Sequence, residues 1–314
     1  MGRPDFGIQI EPQYGFSYDS IKEIAINAER NSLESIWVSD HFFLTPELQN
    51  THCLECWTTL TALSRDTKKI RLGTMVTSQS YRNPALLAKM ASSLDNISGG
   101  RLNFGIGAGW KQVEYNAYNY KFPSSEVRIK QLDEALEIVK LMWSEEKATF
   151  KGKFYSVREV ICSPKPIQPN LPIWVGGTGR MTLKIAAKHA DAVNFAWTLP
   201  LNRVTECLNT LRNRCDQVGT NYDRIIKSAG LMLITAESSE KLQEKLKRRE
   251  AQVNSPYQRY LNRQPPNLIG TIDYVLDRID SYRKLGINHF ILRFHFGEEI
   301  EGIRLYKDHI EPSL

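Results

Sequence analysis

The chain has 314 residues, 41% hydrophobic and 24% charged, which is enough apolar material for one α/β barrel or two smaller domains. No run approaches the ~18 consecutive apolar residues that would span a bilayer, so no membrane segment is expected. The net charge of +6 is mild for this length. The main basic run, Lys241 to Arg249, is interleaved with Glu240, Glu244 and Glu250, and reads as a solvated helix face and not a nucleic-acid stripe.

Strand and helix patterns alternate from end to end. Phe6 to Ile10 reads as a first strand, and Tyr18 to Arg30 carries Ile21, Ile24, Ala25 and Ala28 at helical spacing. Ser35 to Val38 is a second strand, Leu54 to Ser64 a helix, and Ile70 to Val76 a third strand. Asn83-Pro84 opens the next helix, with Asn as cap and Pro in the first turn, and Ser98-Gly99-Gly100 closes it. Leu102 to Ile106 is strand four, Glu126 to Trp143 a helix, and Ala148 to Val160 a hairpin turning at Lys151-Gly152-Lys153. An extended stretch with Pro164, Pro166, Pro169 and Pro172 leads to strand five at Ile173 to Val175. Then come a helix at Thr182 to His189, strand six at Ala192 to Phe195, a helix at Leu201 to Val218, and strand seven at Ile225 to Thr235. A helical insertion at Ser239 to Val253, a helix at Thr271 to Leu285, strand eight at His289 to Phe294 and a last helix at Ile300 to His309 complete the chain.

Eight strands alternating with eight main helices predict a single (β/α)8 TIM-like barrel with insertions, spanning residues 1–314 as one domain. An open doubly wound sheet is the competing fold. It would carry a Gly-x-Gly-x-x-Gly after strand one, and none is present.

Five scattered cysteines, Cys53, Cys56, Cys162, Cys207 and Cys215, fit a reducing compartment. The first residues lack the apolar stretch of a signal peptide, so a cytoplasmic location is expected. His52-Cys53 with Cys56 is half of a metal-ligand pattern, but no second pair completes it, and no metal is expected.

Three strand ends carry site-like chemistry. The run Ile36-Trp37-Val38 delivers Ser39-Asp40-His41-Phe42, placing a titratable pair where a buried strand meets a loop. A histidine there can take or give a proton near neutral pH. Equally, Asp40 can cap the loop with His41 bonded to it. Strand three ends in Thr74-Met75-Val76-Thr77. Trp174-Val175 runs into Gly176-Gly177-Thr178-Gly179, where backbone N–H groups and a helix N-terminus would suit a phosphate, or where the glycines simply make a tight turn.

Taken in order, these motifs resemble the luciferase-like monooxygenase superfamily, and within it the oxidoreductases that use coenzyme F420, an 8-hydroxy-5-deazaflavin. The matching pieces are Trp37 to Phe42, Leu72 to Thr77 with Tyr81 to Ala88, Ile97 to Leu102, Gly105 to Trp110 with Glu114-Tyr115, Trp174 to Gly179, Ala190 to Asn194, and Ile269 to Thr271. The resemblance implies a TIM-like barrel and hydride transfer between the deazaflavin and a small organic substrate. FMN with oxygen is the alternative, as in a monooxygenase, and a flavin-binding protein without catalysis is a third reading.

The resemblance further implies that His41 is the acid/base, with Asp40 beside the cofactor ring. Thr74, Met75 and Val76 would back that ring through a bulge whose Met75–Val76 peptide is cis in the family. Gly107 would line the cofactor site, and Gly176, Gly177, Thr178 and Gly179 would hold its phosphate. Sugar-phosphate dehydrogenases of this family carry a Glu directly after the glycine run, where this chain has Trp110. Trp110 would wall the substrate pocket or pack in the core. The nearest carboxylate, Glu114, stands four residues on and need not reach the site. Selectivity is expected in the loops Thr45 to His52, Asn194 to Leu201 and Ser255 to Ile269. No partner beyond a small molecule is implied, and a homodimer is compatible with the sequence without being specified by it.

Overall fold

A computed structural model describes residues 2–195, 199–250 and 268–314. In chain order its strands are β1 (Asp5–Ile10), β2 (Ser35–Val38), β3 (Arg71–Thr74), β4 (Thr77–Ser78), β5 (Leu102–Gly107), β6 (Ala148–Lys151), β7 (Ser156–Val160), β8 (Ile173–Gly176), β9 (Ala192–Phe195), β10 (Ile226–Ala236), β11 (Leu268–Thr271) and β12 (His289–Arg293). Eight of them, β1, β2, β3, β5, β8, β9, β10 and β12, pair in parallel around a ring that closes where β12 meets β1, Phe6 opposite Phe290. The expected TIM-like barrel is the observed fold. Strands β2 and β5 are buried at every residue, as strands covered on both faces must be. β6 and β7 form the antiparallel hairpin outside the ring, and β11 extends the far end of β10.

The helices begin and end for local reasons. In Pro84–Ser98 the Asn83 side chain accepts from the Ala85 N–H at 2.9 Å, Pro84 fills the first turn, and Gly99 ends it at φ 72°. The insertion helix is described over Ser239–Glu250, and its expected last residues, 251–253, lie outside the described residues. No helix among the described residues is long and apolar enough to cross a membrane.

Two local features depart from the plain strand-and-helix pattern, and both bear on the site. Strand three does not run on to Val76. It breaks between β3 and β4, and the intervening Met75–Val76 peptide is cis, as the resemblance implied. Across the break the Thr74 hydroxyl replaces a ladder partner for β5: its Oγ1 donates to the Gly105 carbonyl at 2.6 Å and accepts from the Gly105 N–H at 3.0 Å. Second, a helix not expected from the sequence, Gln112–Ala117, follows the loop after β5.

Aromatic rings plug the barrel beneath its C-terminal rim. Trp37 is fully buried and meets Trp174 edge-on at 4.7 Å, with Met75 packed against the pair. Gly73 makes room, since a Cβ there would lie 2.2 Å from the Trp37 ring. His289 packs edge-on against both indoles, and its Nδ1 lies 3.0 Å from the Ser228 hydroxyl. Burial lowers its pKa from 6.5 to about 3, so it is neutral in the fold. Below 6.5 the unfolded chain binds a proton that the folded chain refuses, so stability falls as pH drops from 6.5 toward 3. Denaturant titrations are expected to show about 2–3 kcal/mol lost by about pH 4.5 through this group, at ~1.36 kcal/mol per unit. His289→Gln should flatten that part of the profile, and an unchanged slope in the variant would contradict the assignment.

Candidate active site

A cavity of about 370 Å³ opens at the C-terminal rim, within the ~300–1,000 Å³ usual for small-molecule sites. Asp40, Thr77, Trp110 and Gly177, which come from four different strand ends, all line it. So do His41, Met75, Val76, Gly107 and Gly176. Thr74 is fully buried behind the wall as the clamp on β5, while Thr178 and Gly179 lead from the rim into the helix Arg180–His189. Thr182, on that helix, lines the cavity too.

The break after β3 swings Val76 across the barrel mouth. A Cβ at Gly107 would lie 2.9 Å from one Val76 methyl, and a Cβ at Gly176 would lie 3.0 Å from both. Glycine at these two rim positions is therefore what admits the Val76 side chain. Beyond it, Gly177 turns the chain at φ 138°, and Gly179 caps the helix with no side chain over its free N–H groups.

Asp40 is buried and fully engaged. Arg82 binds it in a bidentate fork, Nη1 to Oδ2 at 2.6 Å and Nη2 to Oδ1 at 3.0 Å, and Thr77 donates to Oδ2 at 2.5 Å. Arg82 also pairs with Glu55. Burial alone would lower the guanidinium pKa, but the Asp40 and Glu55 charges outweigh it and push it up. With both oxygens committed, Asp40 is held fixed in the wall. His41 does not bond to it.

Instead, His41 Nδ1 lies 2.8 Å from Glu114 Oε2. The helix Gln112–Ala117 brings Glu114, fully buried, under the Asp40-His41 loop. This corrects the expectation that Glu114 need not reach the site. Its Oε1 accepts from the Phe42 and Phe43 N–H groups at 2.7 and 3.2 Å and from Lys111 Nζ at 3.0 Å. Tyr81 donates to Oε2 at 2.9 Å. Burial would raise the carboxyl pKa, but the bond and charge of His41, the Lys111 charge and the Phe42 N–H prevail and lower it to about 2. Lys111 moves down, chiefly through burial. Trp110 is 65% exposed at the cavity mouth and meets the His41 ring edge-on at 5.5 Å, so it does not pack in the core. Cys53 and Cys56 donate to the carbonyls of His41 and Val38, at 3.3 and 3.2 Å.

The cavity's other side is polar. Glu11, just beyond β1, and Arg293, at the end of β12, form a buried pair at 2.6 Å. Gln13 donates to Glu11 at 3.3 Å and accepts from Ser39 at 2.7 Å. Gln9 Oε1 is buried without a hydrogen-bond partner among the described residues. Sequence reading missed Glu11, Tyr81, Arg82, Lys111 and Arg293 as site residues. Tyr81 and Arg82 fell inside a matching motif, which was the one available signal.

A parallel barrel with a polar, histidine-bearing cavity at its C-terminal rim defines an enzyme-like small-molecule site. Residues 5–289 match the family model for luciferase-like monooxygenases, and the chain belongs to that family. Among curated proteins it is similar to the F420-dependent glucose-6-phosphate dehydrogenase of Kineococcus radiotolerans, 32% identical over 56% of this chain and 52% of that protein. The chain thus spans about half the length of that relative. A protein of the same name from Segniliparus rotundus aligns at 23% identity over 95% of both chains. Among solved structures, an F420-dependent secondary alcohol dehydrogenase in complex with an F420-acetone adduct has the same fold, with a TM-score of 0.82 at 20% identity over 99% of each chain.

Proposed function

We propose that this protein transfers a hydride between coenzyme F420 and a small neutral alcohol, reversibly with the corresponding carbonyl compound. The observation that carries this reading is a cavity with His41 on one side and, on the other, the Val76 bulge leading into the Gly176–Gly179 turn. The relatives named for F420 use support the choice of cofactor.

The residues present fit such a group. The glycines at 107, 176 and 177 leave the rim without side chains, and the helix N-terminus, with no side-chain cap, suits a phosphate. Gln9 Oε1, orphaned and buried in the lining, awaits a donor from a bound molecule. Met75 and Val76 would back the ring, Thr74 would hold their bulge, and Asp40 would stand in the wall, fixed by Arg82. Gly177, Thr178 and Gly179 would hold the phosphate. When bound, the deazaflavin supplies the two-electron carrier. His41 takes the hydroxyl proton at Nε2 as the alcohol's carbon–oxygen bond becomes a carbonyl, and returns it in the reverse direction. Trp110, at the mouth, limits water.

The alcohol is read as neutral because, among the described residues, the two cations that line the cavity are answered within the protein, Lys111 by Glu114 and Arg293 by Glu11. Trp110 also stands where the sugar-phosphate dehydrogenases have an acid. With F420 saturating, kcat/KM for the best of a panel of neutral secondary alcohols is expected to exceed that for glucose 6-phosphate at least about tenfold, ~1.4 kcal/mol of transition-state binding. A preference for the sugar phosphate would overturn the neutral-substrate reading.

A further inference from the structure

We infer that Glu114 is a positioning residue that fixes which nitrogen of His41 carries the proton. The inference deepens the proposed function and rests on His41 acting at Nε2. Five groups converge on the Glu114 carboxylate: Phe42 N, Phe43 N and Lys111 Nζ at Oε1, and His41 Nδ1 and Tyr81 Oη at Oε2. Four of them can only donate or are poised to donate. An ionised carboxylate only accepts. The fifth, His41 Nδ1, must therefore bear hydrogen, since a bare Nδ1 would set a lone pair against Oε2 at 2.8 Å in a fully buried place.

The consequence falls on the other nitrogen. With hydrogen on Nδ1, a neutral imidazole presents a lone pair at Nε2, and no group among the described residues bonds that atom. His41 lines the cavity, so this lone pair is what a substrate hydroxyl meets. Lys111 answers the Glu114 charge, so the carboxylate does not depend on an imidazolium for an ionic partner. Because the same carboxylate also holds the backbone of Phe42 and Phe43, one group sets the loop, the ring direction and the tautomer together.

Glu114→Gln separates tautomer from packing. The two backbone N–H groups and Lys111 demand an acceptor, so the amide oxygen should take the Oε1 place and the NH₂ should face His41. Nδ1 must then accept, the hydrogen moves to Nε2, and the base is lost. In ¹⁵N-histidine NMR, with the His41 signals assigned from the His41→Gln spectrum, wild-type protein is expected to show Nδ1–H and Glu114→Gln to show Nε2–H. Turnover of the variant should fall about 10²–10⁴-fold, as if the general base were removed, while the F420 dissociation constant stays within about threefold. Wild-type His41 protonated on Nε2 would overturn the inference, even if the variant fails to fold. So would a Glu114→Gln protein that keeps Nδ1–H or loses less than about tenfold in rate. Failure of wild-type protein to bind F420 would sink the proposed function alone, since the tautomer is read without cofactor.

Discussion

His41→Ala is expected to lower turnover by about 10²–10⁴-fold, the usual contribution of a positioned acid/base group, while leaving F420 affinity nearly unchanged. The imidazole offers the cavity an atom, Nε2, that no group among the described residues bonds. Asp40 cannot substitute, because Arg82 and Thr77 occupy both of its oxygens. Glu114 cannot either, because it is fully buried and already accepts five bonds. The fold should survive the change. Four of the donors to Glu114 remain, and the ring loses only its edge contact with Trp110. The Val76 bulge and the glycine turn lie on other strands. Steady-state kinetics with the best alcohol, paired with fluorescence titration of F420, separates the outcomes. A collapse of affinity in a folded variant would make His41 a cofactor ligand, and no change in either quantity would make it structural.

The barrel was legible because its strands are buried on both faces and so read as short apolar runs, each ended by polar or glycine residues. The strand ends named from sequence, at Asp40, Thr77, Trp110 and Gly177, do meet around one cavity. What escaped is what depends on distance along the chain. Arg82 reaches back 42 residues to Asp40, and Glu114 73 residues to His41. Arg293 meets Glu11 across 282 residues, which only closure of β12 onto β1 makes neighbours. None of these pairs has a local signature. The helix Gln112–Ala117 is six residues long, too short for a period to show. The break at Met75–Val76 lies among apolar residues that suit a continuous buried strand equally well, so only the resemblance pointed to it.

The choice of cofactor is the claim on which the rest stands. The glycine turn and helix N-terminus would accept the phosphate of either candidate, so they do not discriminate. The distinction lies at the ring, between a deazaflavin that carries hydride and an FMN that also reacts with oxygen when reduced. Equilibrium titration of the purified protein with F420 and with FMN, followed by fluorescence, tests it most directly. F420 is expected to bind at least about tenfold more tightly, a difference of ~1.4 kcal/mol. FMN binding tighter by that factor would contradict the account and turn the site into that of an oxygen-using flavin monooxygenase.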